Sequence, residues 1–197
     1  MYGGAFDPPH LTHVALAQAA IDQWGLDELR IIPTGQAWHK SRDLTPAVHR
    51  LAMARLAFEG IPQARIDERE VQRSGHSYTI DTLRELQAEH PQVQLFLLMG
   101  QDQWALFPQW HAYEDILKIA TILVALRADS ARADAKKDPK NHVKIGCNII
   151  QMSPSSISAT EIRQFCQHGQ SIDHLVKPSV ARYIERNHLY VSHPSLT

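Results

Sequence analysis

An α/β fold with a doubly wound parallel sheet is what this sequence predicts, on three observations. Val93 to Met99 is a nearly unbroken apolar run closed by Gly100, and Ile119 to Leu126 repeats that character, as strands buried on both faces of a parallel sheet do. Strand-like and helix-like segments alternate along a chain of 197 residues, a length that suits one domain, 1–197, with a substantial core. Two turns, Gly3-Gly4 and Gly100-Gln101-Asp102, stand where strands would end, and in such sheets ligands lie beyond the carboxyl ends of the strands.

The elements follow in order. A helix opening near Pro9 carries Val14, Leu16, Ala17, Ala20, Ile21 and Trp24 at helical spacing and stops at Gly25. A short strand spans about Glu28 to Pro33. Thr45 as N-cap and Pro46 at the first turn start a second helix with an apolar stripe of Val48, Leu51, Ala52, Leu56 and Phe58, ending at Gly60. Arg65 to Asp67 reads as a strand, and Thr79 to Glu89 as a helix with Ile80, Leu83 and Leu86 inward and Pro91 beyond it. Asp102 reads as an N-cap after the Val93 to Gly100 strand. From 127 to 144 the chain turns to Ala, Asp, Lys and Arg without aromatics or period, the composition of a solvated insertion or mobile loop. Residues 156–197 form a C-terminal helical segment. Only Met1-Tyr2 precede Gly3, fewer than the ~5 residues of an ordinary strand. The expectation is therefore that the natural protein carries several apolar residues ahead of Met1; if the short form is real, the sheet lacks part of a central strand and lower stability is expected.

Composition excludes several classes of function. With 44% hydrophobic and 21% charged residues and a net charge of −1, nothing favours a nucleic acid or membrane surface as partner. Cys147 and Cys166 are too few for a disulfide framework or a cysteine zinc site, so a reduced, cytoplasmic protein is expected. There is no signal-peptide pattern, no apolar run near the ~20 residues that span a bilayer, and no Walker A sequence.

The segment Gly3-Gly4-Ala5-Phe6-Asp7-Pro8-Pro9-His10-Leu11-Thr12-His13 has the construction of a phosphate site. Adjacent glycines let backbone approach a bulky anion. A helix opening there aims free amides at it, with His10 and His13 on one face as donors. Ser158 with Glu161 is a capping box, so a second helix starts there, with Ile162, Phe165 and Cys166 inward and Gly169 as its stop. Arg163 follows that N-terminus closely enough to reach an anion held by its amides.

The first segment resembles the GGxFDPxHxGH signature of the nucleotidyltransferase superfamily, and Ser156-Ile157-Ser158-Ala159-Thr160-Glu161-Ile162-Arg163 resembles its ISSTxIR motif. Between them, Ser77-Tyr78-Thr79 and Gly100-Gln101-Asp102 through Phe107 to Trp110 match features of the nicotinate mononucleotide adenylyltransferase branch. The resemblance covers nearly the whole chain and implies a Rossmann-like fold. It implies ATP binding by Gly3, Gly4, Ala5, Phe6, His10, His13, Lys40, Gly100, Asp102, Ile157, Ser158 and Arg163, with His10, His13 and Arg163 catalytic. Nicotinate mononucleotide falls to Thr79, Asp102, Trp110 and His111: the tryptophan stacks on the pyridine ring and backbone amides hold the carboxylate. Trp110 taken alone would more often be a core aromatic.

The implied reaction transfers AMP from ATP to nicotinate mononucleotide, giving nicotinate adenine dinucleotide and pyrophosphate in NAD biosynthesis, with Mg²⁺ carried by the substrate and no protein metal cage. The expected partners are those two small molecules, in a monomer or small homo-oligomer. Thr12 stands where the signature has glycine, placing a β-branched side chain where the nucleotide approaches closely. Ala37-Trp38 stands where the segment ending in His39-Lys40 has prolines. The competing readings are an adenylyltransferase for nicotinamide mononucleotide or phosphopantetheine, a nucleotide-binding protein without catalysis, and a metal-binding protein built on His10 and His13.

Overall fold

Among the described residues, six strands, all paired in parallel, lie in the order β3-β2-β1-β4-β5-β6. The computed structural model describes residues 1–35, 44–125, 146–153, 155 and 157–191. The strands are β1 (Tyr2–Gly4), β2 (Leu29–Pro33), β3 (Ala64–Ile66), β4 (Leu95–Gly100), β5 (Ala120–Ala125) and β6 (Cys147–Ile150). Between and after them run α1 (Leu11–Trp24), α2 (Ala47–Phe58), α3 (Arg69–Gln72), α4 (Thr79–Glu89), α5 (Gln101–Leu106), α6 (Tyr113–Ile119), α7 (Ala159–Gln167) and α8 (Pro178–Arg186). Winding proceeds outward from β1 in one direction and from β4 in the other, so the two strands meet at the topological switch point.

Alternation along the central strands divides the core in two. Ile31, Leu98, Leu123 and Ala125 face a cluster built with Leu16, Ala20, Met53, Phe58, Ile162 and Val180. Ile32, Leu97, Met99, Ile122 and Val124 face the opposite cluster with Ile80, Leu83, Trp104, Phe107 and Ile116. β4 and β5 therefore have core on both faces, which is why they read as nearly unbroken apolar runs. No helix among the described residues is long and apolar enough to cross a membrane.

Several expectations need correction. Tyr2, Gly3 and Gly4 form the central strand β1, three residues long: Tyr2 pairs with Ile31 on one side and Leu98 on the other, and the Met1 carbonyl ahead of it accepts from the Leu98 amide at 2.9 Å. Pro46, not Thr45, caps α2, and its buried face is Arg50, Leu51, Met53, Ala54, Ala57 and Phe58, while Val48 is 65% exposed. Val93 also lies outside its strand, in a turn whose amide bonds the His90 carbonyl. Gly100 rather than Asp102 caps α5. The segment 127 to 144 lies outside the described residues, as do Lys40 and its neighbours.

Gly25 ends α1 at φ 58, the left-handed value that a residue without Cβ adopts readily. Gly35 is required for a different reason. A Cβ there would stand 2.9 Å from the Glu70 carbonyl carbon, closer still to its oxygen, and 3.2 Å from Ser77 Oγ. Gly35→Ala must push the loop after β2 away from α3, and overpacking of that kind costs about 1–3 kcal/mol. The expected result is a lower urea midpoint at unchanged slope; a midpoint equal to that of the parent would show that the backbone yields freely.

Candidate active site

One cavity of about 640 Å³ opens at the carboxyl ends of β1 and β4, where the switch point predicts a ligand. Its floor is made by Gly3, Gly4, Ala5 and Phe6 from β1 and the turn after it, with Gly100 from the end of β4 and Asp102 from the first turn of α5. His10, His13, Ile157, Ser158 and Arg163 line one wall. Thr79, Trp110 and His111 line another. The structure thus brings together every predicted site residue that lies among the described ones, a set to which Lys40 does not belong.

The Phe6 backbone sits at φ 47, in the left-handed region, and its ring is 1% exposed. Such a conformation costs a side-chain-bearing residue on the order of 1 kcal/mol and persists where packing over-determines it. Here the packing is a set of aromatic edges: Phe6 meets Tyr2 at 5.4 Å, Phe58 at 5.7 Å and His13 at 5.1 Å between ring centroids. This cluster anchors the turn from below and sets the position of the His13 ring.

His10 is the N-cap of α1, and its ring lies 3.7 Å from that of His13. His13 Nδ1 accepts from the His10 amide at 3.1 Å, so the neutral His13 ring keeps its proton on Nε2, where it can donate to an anion. The expectation of free amides at this helix start is only partly met. The Leu11 amide donates to the Leu175 carbonyl and the His13 amide to the His10 carbonyl, both at 2.9 Å. An anion at α1 would therefore meet chiefly imidazole side chains.

The second helix start shows the serine half of its capping box. Ser158 Oγ accepts from the Glu161 amide at 3.2 Å, and the amides of Ala159 and Thr160 ahead of it have no intrahelical acceptor. Arg163, one turn in, donates from Nη1 to the Asp7 carbonyl at 2.8 Å and from Nη2 to Thr160 Oγ1 at 3.1 Å. Those bonds turn the guanidinium toward the turn that carries the histidines. Thr12 Oγ1 and Ser155 Oγ are 2.5 Å apart, so the side chain that replaces glycine ties α1 to the loop before α7.

On the opposite wall Thr79 is the first residue of α4, with Tyr78 as N-cap. The Tyr78 and His111 rings are 4.6 Å apart, and Trp110 packs at 5.5 Å on the buried Phe107. Glu70 also lines the cavity; it accepts from Thr82 Oγ1 at 2.9 Å, and burial pushes its carboxyl up from the ordinary range. Read without the structure, the sequence points to no role for Glu70, Asp7, Arg50 or Tyr190. Asp7 stands there only as a motif letter, whereas Arg50 does carry a signal, since 50, 53, 54 and 57 are in helical phase.

Comparison with known proteins agrees with this geometry. A model of the cytidylyltransferase-like family matches residues 1–165. A protein of Albidiferax ferrireducens named "Probable nicotinate-nucleotide adenylyltransferase" is 49% identical over 191 residues, covering 96% of each chain. One of the same name from Methylibium petroleiphilum is 40% identical over 196 residues, covering 96% of this chain and 91% of the relative. The solved structure of Plasmodium falciparum nicotinic acid mononucleotide adenylyltransferase with NaAD superposes with a TM-score of 0.73 at 22% identity, over 96% of this chain and 95% of that one, a likeness of fold. On the family match and the full-length relatives, this chain belongs to the cytidylyltransferase-like family, in the branch of the nicotinate-nucleotide adenylyltransferases.

Proposed function

We propose that this chain transfers AMP from ATP to nicotinate mononucleotide, releasing pyrophosphate and forming nicotinate adenine dinucleotide, a step of NAD biosynthesis. The observation that carries the reading is the cavity at the switch point, with His10, His13 and Arg163 on one wall and Thr79, Trp110 and His111 on another. The first set suits a polyphosphate and the second a flat aromatic ring bearing a carboxylate, for which backbone amides at Thr79 and His111 supply neutral donors.

The nucleophile is the substrate's own phosphate, ionised at neutral pH, so no general base is needed. Its oxygen attacks the α-phosphorus of ATP as the bond to the bridging oxygen of pyrophosphate breaks. His10, His13 and Arg163 hold the reacting groups in line and offset the charge that gathers on the phosphoryl oxygens. Mg²⁺ is proposed to arrive with the triphosphate and to be held largely by substrate and water; among the described residues no group of three or more His, Cys, Asp or Glu is placed to form a metal cage. When bound, that ion would neutralise phosphate charge; Asp102, in the first turn of α5, is one of the carboxylates that line the cavity. The two cysteines, half-buried and with thiols pushed up by burial, suit a reducing cytoplasm.

The test is pyrophosphate release from ATP with nicotinate mononucleotide, run beside nicotinamide mononucleotide and phosphopantetheine. Release with nicotinate mononucleotide at least tenfold above the others is expected. Release with another acceptor alone would reassign the substrate, and none with any acceptor, together with ATP binding, would support a nucleotide-binding protein.

A further inference from the structure

The C-terminal segment reaches the proposed site through a buried carboxylate that the chemistry itself does not use. Asp7 is 1% exposed. Its Oδ1 accepts from the Tyr190 hydroxyl at 2.7 Å and its Oδ2 from the Thr45 amide at 3.2 Å. Its backbone carbonyl is the acceptor for Arg163 Nη1 at 2.8 Å. One residue of the phosphate turn therefore joins the end of the chain to the guanidinium on the cavity wall, and Tyr190 does so across 183 positions from beyond the residues the family model matches.

The backbone that presents Tyr190 is strained. His188 and Tyr190 lie at φ 48 and φ 64, the left-handed region that residues with a Cβ avoid. Such conformations survive where the surroundings over-determine them. Around Tyr190 those surroundings are α2 and the phosphate turn: the hydroxyl also lies 3.9 Å from Met53 Sδ, and the His188 and Leu189 amides bond the Glu185 and Ile184 carbonyls at the end of α8. Burial and the Asp7 charge push the phenol well above its ordinary range, so it is present as a donor.

We infer that Tyr190 is a positioning residue: by fixing the Asp7 carboxylate it holds the Asp7 carbonyl, and through it the Arg163 guanidinium, in line with the transferred phosphate. This rests on the adenylyl-transfer reading above. Without the hydroxyl the turn loses one of its fixed points, and a displacement near 1 Å at a reacting group can cost roughly 100-fold in rate.

The experiment compares initial rates of the parent, Tyr190→Phe, Arg163→Ala and the double variant over a range of ATP and nicotinate mononucleotide, with thermal melting in parallel. The expected result is a kcat about 10- to 100-fold lower in Tyr190→Phe, KM values within about twofold, and less than a twofold further loss when the same change is made in Arg163→Ala. A folded Tyr190→Phe with parental kcat overturns the inference, and so does an equal fold-loss in both backgrounds, since the tyrosine would then act independently of Arg163. Should Tyr190→Phe fail to fold, Asp7→Asn takes its place in the same cycle, and parental kcat or an equal fold-loss in both backgrounds overturns the inference there as well. A parent chain inactive with every acceptor would sink the adenylyl-transfer reading instead, so the two failures are distinguishable.

Discussion

Turnover in His13→Ala and in Arg163→Ala is expected to fall about 10²- to 10³-fold at saturating ATP, while both proteins remain folded. The magnitude is that of removing one fixed donor from a site where charge develops, about 2.7–4 kcal/mol of transition-state stabilisation. It applies to His13 because the ring is held on three sides, by Phe6 at 5.1 Å, His10 at 3.7 Å and the His10 amide on Nδ1, so Nε2–H is placed before substrate arrives. Arg163 is placed in the same way by the Asp7 carbonyl and Thr160 Oγ1. Both side chains are only partly buried, so truncation leaves water able to reach their partners and removes little of the apolar core. The loss should fall on kcat more than on KM, because a group that meets charge formed during transfer contributes less to ground-state binding. Steady-state rates with melting curves check this; unchanged turnover at saturating ATP in either variant would remove that residue from the catalytic set.

The parts of the site legible in the sequence are those whose chemistry is local. The Ser158 cap on the Glu161 amide, the helix start at His10, the glycine stop at Gly25 and the unbroken apolar strands each depend on neighbours a few residues apart. The all-parallel sheet follows from strands that are apolar on both faces. What stays hidden depends on contacts between distant segments. Tyr190 meets Asp7 across 183 positions and Thr12 meets Ser155 across 143, and no periodicity encodes such pairs. The phase of α2 is obscured for a related reason: its charge assigns Arg50 to solvent, which pulls Val48 onto the apolar stripe in its place. The central strand is poorly legible because two of its three residues are glycines, which make their part of the ladder with backbone alone.

Arg50 also carries the largest stability effect expected here. The residue is 3% exposed, and its guanidinium holds three carbonyls at once: Thr45 through Nε at 2.8 Å, and Ala5 at 3.1 Å and Thr34 at 2.8 Å through Nη1. Those acceptors belong to the turn after β1, the end of β2 and the lead into α2, so one planar fork ties together three segments that converge on the cavity. Arg50→Met keeps the stem's length and apolar packing but leaves three carbonyls without this donor, and hydrogen bonds to a charged group are worth about 1.5–3 kcal/mol each. Some of that returns if water enters behind the methionine, so the net loss is expected near 3–5 kcal/mol, above the 1–3 kcal/mol of Gly35→Ala. Arg50→Lys should recover only part of it, because an ammonium cannot reproduce the guanidinium's fixed fork. Unlike the His13 and Arg163 variants, Arg50→Met should lose stability and activity together, since Ala5 and Asp7 sit on the turn it releases. Urea unfolding of the three proteins beside their turnover decides the matter: a methionine variant within about 1 kcal/mol of the parent would mean that the loops are held by their own backbone bonds and that the buried charge is dispensable.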